Sequence, residues 1–157
     1  MFSKLPLENA EVWQLTKTET DVPALSARVK IGDQSLRVSG MHTMSPTSEL
    51  RMRLRTEQLI EVAERLESVD EPSILMGDLN CTPWSPFLRD LIEACDFRDS
   101  RQGQGYLASW NVELPWMFWI PIDHAFVSDE ICVHSRTLGN SAGSDHLPVI
   151  FEVSTAQ

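Results

Sequence analysis

Carboxylates, imidazoles and one amide recur in this chain where short apolar runs begin or end. Asp78 and Asn80 close the run Ile74-Leu75-Met76-Gly77, and His42 follows Val38-Ser39-Gly40-Met41. Asp123 and His124 stand in the run opened by Pro121, and Ser144-Asp145-His146 precedes Leu147-Pro148-Val149. Hydrolysis of a phosphate ester needs these side-chain types: a hard divalent cation on the non-bridging oxygens, a base to aim or deprotonate water, and an acid or second charge for the leaving oxygen. Carboxylate oxygens suit Mg²⁺, Mn²⁺ or Ca²⁺, whereas adjacent His and Cys would suit zinc.

Each cluster has a plain structural use beside the chemical one. Asp78 and Asn80 are spaced i, i+2, so a strand aims both from one face, and Gly77 allows a backbone or ligand to approach closely. The same pair also serves to cap the following turn. Asp145 and His146 are neighbours and point to opposite sides, one free to hold a metal and the other to reach phosphate or water. If Asp123 orients His146, the two form a water-activating dyad. The structural alternative is an Asp145 that caps a turn and a His146 that fills a half-buried site.

The elements that must position these groups follow from periodicity. Alternation predicts strands at Val12 to Thr16, Leu25 to Ile31 and Ser35 to Ser39, with a Gly32-Asp33 hairpin turn. Apolar positions at Leu50, Leu54, Leu59, Val62, Ala63 and Leu66 predict a helix capped by Ser45 or Thr47 and ending near Ser68. Its solvated face is read as Arg51, Arg53, Arg55, Glu57, Glu61 and Glu64. A buried strand follows at Ile74 to Asn80, then a helix from Ser85-Pro86 through Cys95 with Leu88, Leu91 and Ile92 facing inward. Residues 98 to 119 read as irregular, with Ser109-Trp110 closing a short strand. Three strands return at Ile122 to Ser128, Ile131 to Arg136 and Leu147 to Val153. Strands alternating with helices favour layered α/β packing over an all-β sandwich.

A chain of 157 residues is one domain's worth, and its 42% apolar and 23% charged composition suits a globular protein with a core. A formal charge of −10 argues against a basic groove that tracks nucleic-acid backbone. A polyanionic substrate therefore needs a metal intermediary. Cys81, Cys95 and Cys132 are too scattered for zinc ligation or a disulfide framework and are read as reduced core residues. No stretch is long and apolar enough to span a membrane.

Four stretches together carry a family resemblance. Val38-Ser39-Gly40-Met41-His42-Thr43, Met76-Gly77-Asp78-Leu79-Asn80, Pro121-Ile122-Asp123-His124-Ala125-Phe126-Val127-Ser128 and Gly143-Ser144-Asp145-His146-Leu147-Pro148-Val149 resemble successive motifs of the endonuclease/exonuclease/phosphatase superfamily, which includes DNase I. The resemblance runs from about Leu25 to the end. It implies a DNase I-like α/β fold, a layered β-sandwich flanked by helices, and a divalent-metal-dependent phosphodiesterase, nuclease or phosphatase using in-line water attack. It implies Asp145 as the carboxylate on the metal and His146 as base or phosphate contact. Asp123 is then the acid bonded to that histidine, Asp78 the acid at the nucleophile or leaving group, Asn80 the amide orienting phosphate, and His42 a histidine facing phosphate and leaving oxygen. His124 takes a commonly aromatic, structural position; Ser109-Trp110 resembles a short motif in which the indole packs.

The family's upstream Asn motif and Gln-Glu motif, whose Glu is the principal metal ligand, have no counterpart here. Glu8, Glu11 and Glu19 lie in other contexts. The resemblance then implies a single domain, residues 1 to 157, that is the C-terminal part of a catalytic domain lacking the N-terminal half of the sandwich, with poor metal affinity and little or no activity. Some relatives with this motif wording carry hydrophobic N-terminal segments and act outside the cytoplasm. Uncovered sheet predicts self-association. The rival expectation is a non-catalytic relic of the fold acting in binding or assembly. The substrate class is a phosphate ester, small, lipid or nucleic acid, and the acidic charge shifts the expectation toward the first two. The dense aromatic loop Trp116 to Trp119 has two readings, a packed lid or an apolar rim touching lipid or the organic part of a substrate.

Overall fold

The computed structural model describes residues 1–15 and 22–155. It is built from strands β1 (Leu7–Trp13), β2 (Ala24–Ile31), β3 (Gln34–Gly40), β4 (Ser73–Asp78), β5 (Phe97–Asp99), β6 (Asp123–Ser128), β7 (Ile131–Leu138) and β8 (Val149–Thr155), with helices α1 (Glu49–Leu66) and α2 (Pro86–Ala94). A six-stranded sheet runs in the order β1-β2-β3-β4-β6-β5, and β7 and β8 form a separate two-stranded sheet. The other expected strands and helices are present within a few residues, but the first strand, expected at Val12 to Thr16, is β1 at Leu7–Trp13 and shares only Val12 and Trp13 with that expectation. Thr16, the expected end of the first strand, lies outside the described residues.

Alternation along the strands sorts the core into two layers. Leu75 of β4 and Phe126 of β6 face the helices, where they pack with Leu59, Val62, Leu66, Leu88 and Leu91. Their neighbours Ile74 and Val127 face the other way, onto Ile131 of β7 with Val133, Phe151 and Val153 partly buried beside it. Helices thus cover one face of the large sheet and a two-stranded ribbon covers part of the other. This is the layered α/β arrangement that the order of elements favours. A parallel β3-α1-β4 crossover, the only parallel pair among the described residues, brings the ends of β3 and β4 side by side.

Local details correct several expectations. Ser48, rather than Ser45 or Thr47, caps α1, its hydroxyl accepting from the Arg51 amide. The inward face of α1 is the expected one at Leu59, Val62, Ala63 and Leu66, but Leu50 is exposed, and Arg55 and Glu61, expected on the solvated face, are buried. Both polar side chains have partners that make burial tolerable, since Arg55 Nη1 donates to the Asn80 carbonyl at 2.8 Å and Glu61 accepts from Arg65 at 3.1 Å. Within the stretch expected to be irregular, Phe97–Asp99 pairs with β6 as an edge strand. Ser109-Trp110 forms no strand, but Trp110 makes single bridges to Ile120 and His146. Cys81 is buried and Cys95 half-buried, while Cys132 is exposed on β7 and is not a core residue.

Candidate active site

Gly77 governs how the site is assembled. Its φ of +149° and its packing leave no room for a side chain, because a Cβ there would lie 1.8 Å from the Met41 carbonyl oxygen. The Met41 and Thr43 amides donate to the carbonyls of Met76 and Asp78 at 3.1 and 3.0 Å. The segment carrying His42 is thereby laid along the end of β4, beside Asp78. The close backbone approach expected at this glycine is therefore that of residues 41 to 43.

Asp78 ends β4 and lies directly opposite Asp123 in the antiparallel β4–β6 ladder. Asp78 Oδ1 accepts from the Asn80 amide at 2.8 Å, while Oδ2 stands 3.6 Å from His42 Nε2 and 3.8 Å from His146 Nε2. Burial raises its proton affinity above the ordinary carboxylate range, against the Asn80 hydrogen bond, and the charge of Asp123 adds to the rise. Asn80 occupies the left-handed region at φ 47°, a conformation that Asn tolerates better than most residues. Its Nδ2 donates to the Thr43 carbonyl at 2.9 Å and lies 3.5 Å from Asp78 Oδ2, a contact at the limit for a hydrogen bond.

Asp123 Oδ2 gathers two partners, His146 Nδ1 at 2.8 Å and the Ser109 hydroxyl at 2.5 Å. His146 comes from the turn between β7 and β8, a connection closed by the Gly139 amide donating to the Pro148 carbonyl at 2.7 Å. The imidazole therefore presents Nδ1 to one carboxylate and Nε2 toward another, the geometry of an oriented base. Asp145, on the other side of that turn, accepts from Trp110 Nε1 at 2.8 Å and from the Ser144 hydroxyl at 3.4 Å. The indole hydrogen bond is the main cause holding the Asp145 carboxyl below its ordinary value.

His42, Asp78, Asn80, Asp123, Asp145 and His146 thus meet at one end of the large sheet. Asp78, Asp123 and His146 each offer a ligand atom within 4.8 Å of the others. Two facing carboxylates, one with raised proton affinity, suit a hard divalent cation. The 2.8 Å bond between His146 and Asp123 suits a base and its orienting acid. Asp145 stands outside this trio, with its oxygens turned to Trp110 and Ser144.

The sequence reads Ser109-Trp110 as a motif whose indole packs, assigns Ser109 no role of its own, and passes over Arg136. The hydroxyl of Ser109 fixes Asp123, and the indole of Trp110 fixes Asp145. Buried Arg136 donates to the Ser100 hydroxyl at 2.7 Å and to the Asp123 carbonyl at 2.8 Å, bracing β6 from below. The Ser-Trp pair was visible as a motif; nothing in the sequence marked Arg136. His124 is structural: buried, its Nε2 lies 2.8 Å from the Cys81 carbonyl, and desolvation lowers its pKa to about 4.

Asp123 and His146 border a cleft of about 360 Å³ whose lining also includes Met76, Val149 and Phe151.

Comparison of the fold finds longer proteins. A crystal structure of an endonuclease/exonuclease/phosphatase from Beutenbergia cavernae superposes with a TM-score of 0.81 at 20% identity, covering 98% of this chain and 46% of that one. A mannosyl-6-phosphatase of Bacteroides thetaiotaomicron superposes at 0.75 with 19% identity, covering 96% of this chain and 67% of its own. D. rerio TDP2 complexed with a single-strand DNA product gives 0.79 at 17% identity, covering 96% and 69%. This chain thus spans less than half the length of the first of these structures and about two thirds of the other two. Among curated proteins, none matches the sequence. The sequence model of one family matches residues 1–146, and on that match the chain belongs to the Endonuclease/Exonuclease/phosphatase family.

Proposed function

We propose that this chain carries the water-activating and phosphate-facing part of a divalent-metal-dependent phosphoester hydrolase. The observation that carries the reading is the convergence on one spot of Asp78, Asp123 and His146 from three separate segments, with ligand atoms within 4.8 Å of one another. In this reading His146 Nε2 takes the proton of the attacking water, while Asp123 holds Nδ1 protonated and stabilises the cation that forms. Asp78 aims the water or protonates the leaving oxygen. The second amide hydrogen of Asn80, only weakly engaged by Asp78, turns to a phosphate oxygen. His42, exposed and 3.6 Å from Asp78, approaches the leaving side.

Asp145 is the carboxylate that the family resemblance puts on Mg²⁺, Mn²⁺ or Ca²⁺, Asp78 and Asp123 are the acids whose oxygens converge with His146, and a bound cation would polarise the non-bridging oxygens. Asp145 would have to release part of its bond to Trp110. The substrate is a phosphate ester, whether diester or monoester; a net charge of −10 favours small or lipid esters over long nucleic acid. We also read residues 1–157 as one domain and as the C-terminal part of a larger catalytic unit. The greater length of the matched structures supports this. Self-association through the ribbon is a separate proposal, supported by the second edge of β8, which has no strand partner among the described residues. A monomer by light scattering at every concentration removes it.

The test is hydrolysis of a chromogenic phosphodiester and a phosphomonoester with Mg²⁺ or Mn²⁺, against EDTA and against Asp145→Ala. Metal-dependent turnover that Asp145→Ala abolishes supports the reading. No turnover by the wild-type chain, even at high concentration, favours the rival reading of a non-catalytic binding or assembly module.

A further inference from the structure

The aromatic loop is not a packed lid. Leu114, Trp116, Met117 and Phe118 are 49%, 77%, 67% and 61% exposed. The backbone that carries them is nevertheless held in place. Trp119 Nε1 donates to the Leu114 carbonyl at 2.7 Å, and the Phe118 amide donates to the Pro115 carbonyl at 2.9 Å, closing a single 3₁₀ turn that carries its side chains outward.

Two other segments join this face. The Tyr106 hydroxyl donates to the Trp119 carbonyl at 3.2 Å, and its ring stacks on Trp84 with centroids 6.1 Å apart. Tyr106 is 52% exposed and Trp84 64%. The loop is tied to the site through Trp110, which bonds Asp145 and bridges both Ile120 and His146. An exposed apolar patch of this kind, near a cleft that holds Asp123 and His146, marks a surface that meets something.

We propose that the 114–118 loop, with Trp84 and Tyr106, anchors this chain to a neutral, zwitterionic lipid surface beside the phosphoester site. Trp, Phe, Met and Leu together suit the boundary between headgroups and acyl chains, where the indole is apolar in body and polar at one edge. Charge selects the kind of surface. From Leu114 to Ile122 there is no charged residue, so nothing in the loop attracts an anion, and the net charge of −10 repels anionic headgroups and nucleic acid alike. Zwitterionic headgroups exert no such repulsion. The proposal rests on the hydrolase reading only for its purpose, which is to bring a lipid-borne ester to the site; the docking stands on the surface itself.

The test is flotation of the chain with phosphatidylcholine vesicles in EDTA, so that binding is read without turnover, together with the blue shift of tryptophan emission. Wild type should float and shift. Trp116→Ala with Phe118→Ala should weaken partition on the order of tenfold or more, with an unchanged circular-dichroism melt because both rings are exposed. Adding phosphatidylglycerol should weaken binding at low salt. The proposal is overturned if wild type does not float, if the double variant floats equally well, or if the same substitutions instead abolish self-association or oligonucleotide binding. Hydrolysis of a soluble ester, measured separately, bears on the catalytic reading alone.

Discussion

Asp78 and Asp123 are direct partners across the β4–β6 ladder, two carboxylates at the same level of one sheet. Like charges directly opposite are destabilising, and burial adds to the cost at Asp78. Its folded-state proton affinity lies above that of the unfolded chain, so the stability it contributes is complete below about pH 4 and is lost as pH rises through the higher folded value. In EDTA at neutral pH, Asp78→Asn should therefore melt above wild type, by roughly 1 kcal/mol, with the difference vanishing in acid. Calorimetry across pH checks it; a less stable variant at pH 7 contradicts the assignment of repulsion.

The bond between His146 and Asp123 fixes which imidazole nitrogen carries the proton. Asp123→Asn should remove that preference and lower turnover about 10²- to 10⁴-fold with little change in melting. Nitrogen NMR of the His146 ring reads the tautomer whether or not turnover is measurable. An unchanged ring spectrum would show that Asp123 does not orient it.

Gly77 sits under the Met41 carbonyl, in a conformation that L side chains rarely adopt. Gly77→Ala forces residues 41 to 43 away from β4 and should cost about 3 kcal/mol or more, read from urea denaturation. His42 should lose its place beside Asp78 in the same step.

Burial pushes the Cys81 and Cys95 thiols up to about 11. The stability linked to these protonated thiols is intact below about pH 9 and falls as pH rises toward 11. Cys81→Ala with Cys95→Ala should flatten the alkaline limb of the stability curve, and exposed Cys132 should react with thiol reagents in the native state while Cys81 does not. Equal labelling of the two would contradict the burial.

Much of this arrangement was legible in the sequence because it obeys short-range rules. Apolar runs marked β4 and β6 as strands, and motif spacing singled out all six polar residues that meet at the sheet end. What stayed hidden depends on the third dimension. Arg55 and Glu61 of α1 were misplaced on the solvated face because they find partners that only the folded chain provides. Phe97–Asp99 has too few residues to show a period and exists as a strand because β6 offers it an edge. Arg136 carries no motif, yet its guanidinium donates to the Asp123 carbonyl. The exposure of Trp116 to Phe118 opposed the usual burial of clustered aromatics, and only the closed 3₁₀ turn accounts for it.

The turn that carries Asp145 and His146 hangs from the β7–β8 ribbon, whose second strand alternates half-buried and exposed residues. Such a ribbon can detach while the helix-backed sheet stays intact, so the imidazole would leave its acid well before the molecule melts. Thermal inactivation should then run ahead of unfolding, with the amides of β8 exchanging their protons sooner than those of β4. Catalytic lifetime would be governed by how firmly this hairpin is clasped, not by the strength of the main core.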